Sequence, residues 1–280
     1  MSKMILVDSS LVERKDFGVD IEDRAYQFGD GVYEVIRVYG GKVFAMGQHL
    51  DRLWRSCAEL RMPLPFGKDE LAARFGELMK ANQLSGDGII YLQISRGVAP
   101  RVHQFPEETR PLLVAYTREV QRPLQAMENG GSVITAEDIR WLRCDIKSLN
   151  LLGNVLAKQA AVEKRAIEAI LHRGDTVTEG SSSNFFIVKE GSVYTHPLSN
   201  LILGGITREI VVKLAEDLKL NLIQQAFTVD QAYGADEAFI TSTISEVLPI
   251  ISIDGRSIGS GAPGPVTRKL QRAFEELAGL

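Results

Sequence analysis

Lys147 stands in the run Arg140-Trp141-Leu142-Arg143-Cys144-Asp145-Ile146-Lys147-Ser148-Leu149-Asn150, near the middle of a chain of 280 residues. A strand-like segment over 131–138 precedes this run. A helical pattern with Leu149, Leu152, Val155, Leu156 and Ala160 on one face follows it. A lysine at such a junction is held by rigid elements on both sides. Its amine is a nucleophile at neutral pH only when desolvation or neighbouring cations lower its pKa. Arg140 and Arg143 supply cations within a few residues, and Trp141, Leu142 and Ile146 supply apolar surface. Three more features carry chemical potential. Glu179 precedes a small-residue turn, Gly180-Ser181-Ser182-Ser183. A helix begins at Gly204-Gly205-Ile206-Thr207. The hydroxyl cluster Thr241-Ser242-Thr243 ends a strand. A helix start offers free backbone N–H groups and the positive end of a dipole, a natural seat for phosphate, to which Thr207, Ser242 and Thr243 add hydroxyls.

The elements that position these residues fall into two halves. In the first, strands are expected at 4–8 and 32–39. Gly40-Gly41 turns the second of these into 42–45. Gly29-Asp30-Gly31 is a tight turn that re-aims the chain before 32–39. A helix over 47–61 turns Leu50, Leu53, Trp54, Cys57 and Leu60 inward, leaves Arg52 off that face, and stops at Pro63 and Pro65. A second helix spans 68–82. Strands at 88–96 and 112–117 flank a loop, 97–106, that carries Arg101 and His103 close together. The stretch 119–130, with Pro123 and no periodic pattern, reads as a linker between a domain at 1–118 and a domain at 131–280. The second half holds a strand at 132–137, the helix after Lys147 to about 164, and a strand at 168–172. A strand then enters the Gly-Ser turn and another leaves it, within 177–188. Further elements are a helix at 206–218, strands at 237–241 and 248–253, and a last helix at 265–277.

Composition narrows the function classes. With 45% hydrophobic and 24% charged residues the chain supports an ordinary globular core. A net charge of -4 and the lack of a Lys/Arg run argue against a nucleic-acid partner. The apolar runs are too short to span a bilayer, and the N-terminus reads as a short strand without signal-peptide features. Cys57 and Cys144 lie far apart, as reduced thiols of a cytoplasmic protein do. The four histidines form no i, i+4 pair, so no metal site is expected.

Taken in order, the motifs resemble those of a known family. They are Tyr26-Gln27-Phe28-Gly29-Asp30-Gly31-Val32-Tyr33-Glu34, His49-Leu50-Asp51-Arg52-Leu53, Asp145-Ile146-Lys147, Glu179-Gly180-Ser181-Ser182-Ser183-Asn184 and Gly205-Ile206-Thr207-Arg208. The chain resembles, over essentially its whole length, the class IV aminotransferases, pyridoxal phosphate (PLP) enzymes of fold type IV. The run from Trp141 to Leu152 and the loop Arg101-Val102-His103 are most similar to the D-amino acid branch of that family. The resemblance implies an α/β protein, with an α+β N-terminal half, a barrel-like α/β C-terminal half and the cofactor in the cleft between them. It implies that Lys147 holds PLP through its amine and carries the proton. Glu179 would face the pyridine nitrogen. Arg52, Ile206, Thr207, Ser242 and Thr243 would surround the phosphate, Leu203 would pack on the ring, and Ser181 and Ser182 would support it. Tyr33, Arg101 and His103 match the family's trap for the substrate α-carboxylate, the last two arriving from the neighbouring subunit of a homodimer. Ile244 stands where close relatives carry a hydroxyl residue. The implied reaction is ping-pong transamination, D-alanine and 2-oxoglutarate giving pyruvate and D-glutamate. Branched-chain L-amino acid aminotransferase and aminodeoxychorismate lyase are the alternatives on the same fold.

Overall fold

Period-two alternation governs the strand expected at 32–39, which runs Gly31–Tyr39 in a computed structural model that describes residues 2–108 and 110–280. The chain divides into two compact units, 1–121 with 146–150, and 122–145 with 151–280.

In the first unit the elements are β1 (Met4–Val7), β2 (Ser10–Glu13), α1 (Arg24–Phe28), β3 (Gly31–Tyr39), β4 (Lys42–Val43), α2 (Met46–Glu59), α3 (Lys68–Ala81), β5 (Gly88–Ser95) and β6 (Leu112–Glu119). The strands form one antiparallel sheet in the order β2-β1-β6-β5-β3-β4. Val32, Ile36 and Val38 are buried in one cluster with Leu50, Leu53 and Cys57 of α2 and Leu71, Phe75 and Leu78 of α3. Successive strand residues point to opposite faces. Tyr33 therefore faces away from that core, where it stacks on Tyr91 at 6.1 Å, and Tyr91 on Tyr116 at 5.0 Å. Glu34, one residue on, shares the helix side.

The second unit contains α4 (Leu124–Asn129), β7 (Gly131–Glu137), α5 (Leu152–Glu163), β8 (Glu168–Arg173), β9 (Thr176–Gly180), β10 (Asn184–Lys189), β11 (Ser192–Thr195), α6 (Ile206–Asp217), β12 (Leu222–Gln224), α7 (Val229–Tyr233), β13 (Glu237–Ser242), β14 (Glu246–Ile253), β15 (Arg256–Ser257) and α8 (Pro265–Ala278). Its sheet runs β12-β11-β10-β13-β14-β7-β8-β9, with β15 on β14. Three pairings are parallel: β11 with β12, β14 with β7, and β7 with β8. Phe185, Ile187, Ile240, Leu248 and Ile250 are buried together in its larger core.

Two local expectations differ from the structure. The stretch 119–130 carries the short helix α4, which buries only Met127, too little apolar period to announce a helix. In α5 the small residues Ala157 and Ala161 face the core, with Ile134, Ala169 and Leu171. The large residues Leu152, Val155 and Leu156 are 79%, 56% and 60% exposed. Hydrophobic period identifies this helix but not which side packs within the chain.

Candidate active site

Lys147 belongs to the first unit. Its segment runs beside the start of β3: the Tyr33 amide donates to the Lys147 carbonyl at 3.0 Å and the Leu149 amide to the Gly31 carbonyl at 3.0 Å. The Lys147 amide donates to Ser56 Oγ of α2 at 3.3 Å. Glycines permit this approach. A Cβ on Gly31 would lie 2.5 Å from the Ile94 carbonyl oxygen and 2.8 Å from the Leu149 side chain. Gly29 takes φ +67°, the left-handed region, and a Cβ there would stand 2.9 Å from Asn150 Oδ1. Ile146 is buried in the core. Lys147 itself is half-buried, with Nζ 4.2 Å from the centre of the Tyr33 ring.

On the other face of β3, the fully buried Glu34 accepts from Arg52 Nε at 2.7 Å and Nη2 at 2.8 Å, and from His49 Nδ1 at 2.8 Å. His49 and Arg52 are three apart on α2 and so share a face. The helical period places Arg52 off the inward face, yet it is buried, because a strand carboxylate meets its fork. Burial pushes the Glu34 carboxyl up, but Arg52 and His49 outweigh this and hold it at about 2. His49 is lowered, by burial first and then by the Arg52 and Lys147 charges, against the pull of Glu34.

The second unit contains a matching cluster. Glu179, at the end of β9, is buried. Arg140 Nη1 donates to its Oε1 at 2.6 Å; Asn184 Nδ2 and the Leu203 amide donate to Oε2 at 2.9 and 3.0 Å. Burial pushes this carboxyl up to about 7, against Arg140 and the Leu203 amide and with a further push from Asp138. Proximity in sequence makes Arg140 and Arg143 cations for the lysine. The structure gives them other partners. Nε and Nη2 of Arg140 are bound by Asp138 at 2.8 and 2.9 Å, and Arg143 turns to Asp145 at 3.0 Å. The Ser181, Ser182 and Ser183 hydroxyls all donate to one buried carboxylate, Glu168, the latter two at 2.8 and 3.1 Å. Gly180 fits closely there: a Cβ would lie 2.1 Å from Ser183 Oγ and would displace that hydroxyl from Glu168.

The remaining expected residues sit as follows. Helix α6 starts at Ile206 with Gly205 as its cap and no side-chain capping bond. Ile206 and Thr207 are buried in its first turn. Ser242 Oγ accepts from the Ser245 amide at 3.0 Å, closing the turn that contains Thr243 and Ile244. Thr241 Oγ1 is buried without a hydrogen-bond partner. Arg101 and His103 are exposed and gather on another ring of the first unit, Phe28, at 5.0 and 5.6 Å. Sequence reading gives no role to Glu34, which it meets only as the end of a motif, and misses Asp138 and Glu168. The only signal is a carboxylate inside an apolar strand run or at its end, where an unpaired charge is costly.

An amine beside an aromatic ring, a buried Arg on an ionised carboxylate, a buried carboxylate held by three donors and an uncapped helix start are the parts a phosphorylated aromatic aldehyde requires. The model of the family described as Amino-transferase class IV matches residues 31–253. The chain belongs to the class IV aminotransferases. A D-alanine aminotransferase of Bacillus licheniformis is 52% identical over 97% of this chain and 95% of its own length. One from Staphylococcus aureus (strain MSSA476) is 50% identical over 97% and 96%. Among solved class IV structures, the Escherichia coli branched-chain amino acid aminotransferase superposes with a TM-score of 0.93 at 28% identity, covering 99% of this chain and 95% of that one. The Thermobaculum terrenum branched-chain enzyme in its PLP form gives 0.88 at 28% identity, over 99% and 94%. The fold is therefore the type IV aminotransferase fold, an α/β architecture.

Proposed function

We propose that this class IV aminotransferase transfers amino groups between D-amino acids and 2-oxo acids with PLP, taking D-alanine and 2-oxoglutarate to pyruvate and D-glutamate. The observation that carries this reading is identity of 52% over nearly the full length to a D-alanine aminotransferase, against 28% to a branched-chain enzyme of the same fold. PLP supplies an electron sink and carries the amino group between the two half-reactions. The chain's own residues supply the rest. Lys147 holds the cofactor and, once released, moves the proton at the substrate Cα in both directions. Its half-burial beside Tyr33 supports that role by limiting water around the amine. Arg52, oriented by Glu34, would receive the phosphate as a charge-assisted fork, and the Ile206 and Thr207 amides, the Thr207 hydroxyl, Ser242 and Thr243 would donate to the same group. Leu203 would pack on the ring, and the hydrogen bond its backbone N–H donates to Glu179 would tie that packing to the carboxylate meant for the ring nitrogen. Ser181 and Ser182 act through Glu168, which fixes the turn below Glu179. Tyr33, Arg101 and His103 bind the α-carboxylate, the arginine as a planar fork.

The reading includes two domains joined by a linker at 119–130, and a homodimer of the cytoplasm. The exposed apolar residues Leu152, Val155 and Leu156 on α5 support self-association, since a contiguous patch of this kind marks an association surface. Both cysteines are free and buried, as suits a reducing compartment. No helix among the described residues is long and apolar enough to cross a membrane.

The purified holoprotein, titrated with D-alanine in the absence of any 2-oxo acid, should lose the visible absorbance of bound PLP and release pyruvate. L-Leucine should do neither. Bleaching by L-leucine alone would transfer the reading to branched-chain L-amino acids, and bleaching by neither would favour the lyase. Sedimentation of the same sample at the mass of one chain would remove the dimer.

A further inference from the structure

The loop that carries Arg101 and His103 has little packing of its own. Residues 101–105 are exposed. What fixes it is a buried side chain on another element. Arg24, the first residue of α1, is 3% exposed at its side chain. Its Nη1 donates to the Val102 carbonyl at 2.7 Å and its Nη2 to the His103 carbonyl at 3.4 Å. Its Nε donates to Asp30 Oδ2 at 2.8 Å. The same Asp30 oxygen accepts from Arg96 Nε at 2.8 Å, and Arg96 Nη2 is anchored on the Leu60 carbonyl at 2.8 Å. Arg101 lies within a tight turn, closed by the Val102 amide on the Pro100 carbonyl at 2.8 Å. The guanidinium of Arg24 also lies 4.8 Å from the centre of the Phe28 ring, the ring on which Arg101 and His103 gather. At the loop's base, the Arg24 amide donates to the Gly97 carbonyl at 3.0 Å, and Asp23 accepts from Ser95 Oγ at 2.7 Å.

We infer that Arg24 is a positioning residue for substrate carboxylate recognition: braced by Asp30, its fork grips the backbone at Val102 and His103 and so sets where Arg101 and His103 stand. This rests on the proposed reading that Arg101 and His103 take the α-carboxylate. An arginine is required because one planar group meets three acceptors at once. A lysine at 24 keeps the charge but not the fork. A loop released at two carbonyls samples more positions, and binding then carries the ordering cost that Arg24 has already met. The effect belongs to both substrates, since amino donor and 2-oxo acceptor each present an α-carboxylate to the same trap.

The test is steady-state kinetics of the holoenzyme and of Arg24→Lys, Arg101→Ala and the double variant. Arg24→Lys should raise KM for D-alanine and for 2-oxoglutarate about tenfold, the weight of one lost hydrogen bond, with kcat close to the parent value. In the double variant the KM should exceed that of Arg101→Ala alone by well under tenfold, because the mispositioned Arg101 is no longer present and only His103 is left to lose its placement. A parent-like KM in Arg24→Lys would overturn the inference. So would a KM effect that multiplies in full with that of Arg101→Ala; the trap itself would then stand. If Arg101→Ala leaves KM unchanged, the trap reading falls and the inference falls with it. Should Arg24→Lys not fold, Asp30→Asn removes the brace and is judged by the same two criteria.

Discussion

Glu34 and Glu179 are both fully buried carboxylates gripped by an arginine, yet one carboxyl is held at about 2 and the other pushed to about 7. The difference lies in how the cations are shared. Glu34 meets two donors that carry or accept charge, Arg52 at both oxygens and His49 at one. Glu179 has one cation, and that cation is divided: Asp138 takes Nε and Nη2 of Arg140, leaving Nη1 to Glu179. Asp138 also adds a like charge nearby. A structural carboxylate is thus locked in its ionised form, and a carboxylate assigned to face a protonated ring nitrogen is left ready to respond to one. Burial is the first cause in both places and each carboxylate accepts three hydrogen bonds, so the charge of the partners decides.

Removing the charge at Glu34 tests the locked member and should give the largest effect. Glu34→Gln takes from the buried Arg52 the carboxylate charge that its Nε and Nη2 engage, which costs about 3–5 kcal/mol. Thermal denaturation of the cofactor-free protein would detect it, and loss of PLP affinity should accompany it through a misaimed Arg52. The pH dependence follows the same pair. The folded-state pKa lies below the unfolded value of 4.5, so the stabilisation is present above pH 4.5 and is lost as pH falls toward about 2. That window is worth ~3 kcal/mol, since one pKa unit corresponds to about 1.4 kcal/mol. Equal stability of the variant and parent at pH 7 would show that Glu34 does not hold Arg52.

The two carboxylates also separate what sequence carries from what it does not. Strand 32–39 and the helix after it are legible because their apolar periods are long and their core is local. The Gly29-Asp30-Gly31 turn is legible because each glycine has a backbone reason. Lys147, Glu179 and Thr207 are singled out as candidates through motifs, which encode position in the chain. The partners are not legible. Glu34 finds Arg52 across 18 residues, and Glu179 finds Arg140 across 39. Such pairings are set by sheet register and helix phase, which no single window contains. The serine run reads as support for a ring, yet its hydroxyls converge on Glu168, 13 to 15 residues earlier. In α5 the period is right, but the large side chains stand exposed while alanines pack.

Changing Glu179 should hurt chemistry more than folding, the reverse of Glu34. Glu179→Gln keeps the shape and an acceptor but removes the negative charge. We expect kcat to fall on the order of 10²-fold, the usual scale for loss of one pre-organised electrostatic partner, with the variant at least as stable as the parent near neutral pH. The sign follows from linkage. A folded-state pKa of about 7 lies above the unfolded 4.5, so the folded chain binds a proton that the unfolded chain lacks. This contribution is present below pH 4.5 and is lost as pH rises toward 7. Subtracting the stability profile of Glu179→Gln from that of the cofactor-free parent should leave a curve that declines across this window. A flat difference would mean that Glu179 is ionised throughout, and the contrast with Glu34 would disappear.

The smallest effect comes from the residue that divides the arginine. Asp138 accepts from Arg140 Nε and Nη2, Thr178 Oγ1 at 3.0 Å and Arg173 Nε at 3.2 Å, so its amide replacement keeps several contacts. Burial pushes the Asp138 carboxyl up, but Arg140, with help from Arg173, holds it below the usual range, so it is ionised at neutral pH. Asp138→Asn removes the like charge from Glu179 and leaves Arg140 with one carboxylate instead of two. Both changes favour the ionised form of Glu179. The declining limb in the difference profile should therefore move to lower pH, though only in part, because burial is the first cause of the raised value and is untouched. A limb that stays in place would assign the height of Glu179 to desolvation alone. A limb that rises would mean that Asp138 acts chiefly by aiming Arg140, whose fork then leaves Glu179 when its other anchor weakens.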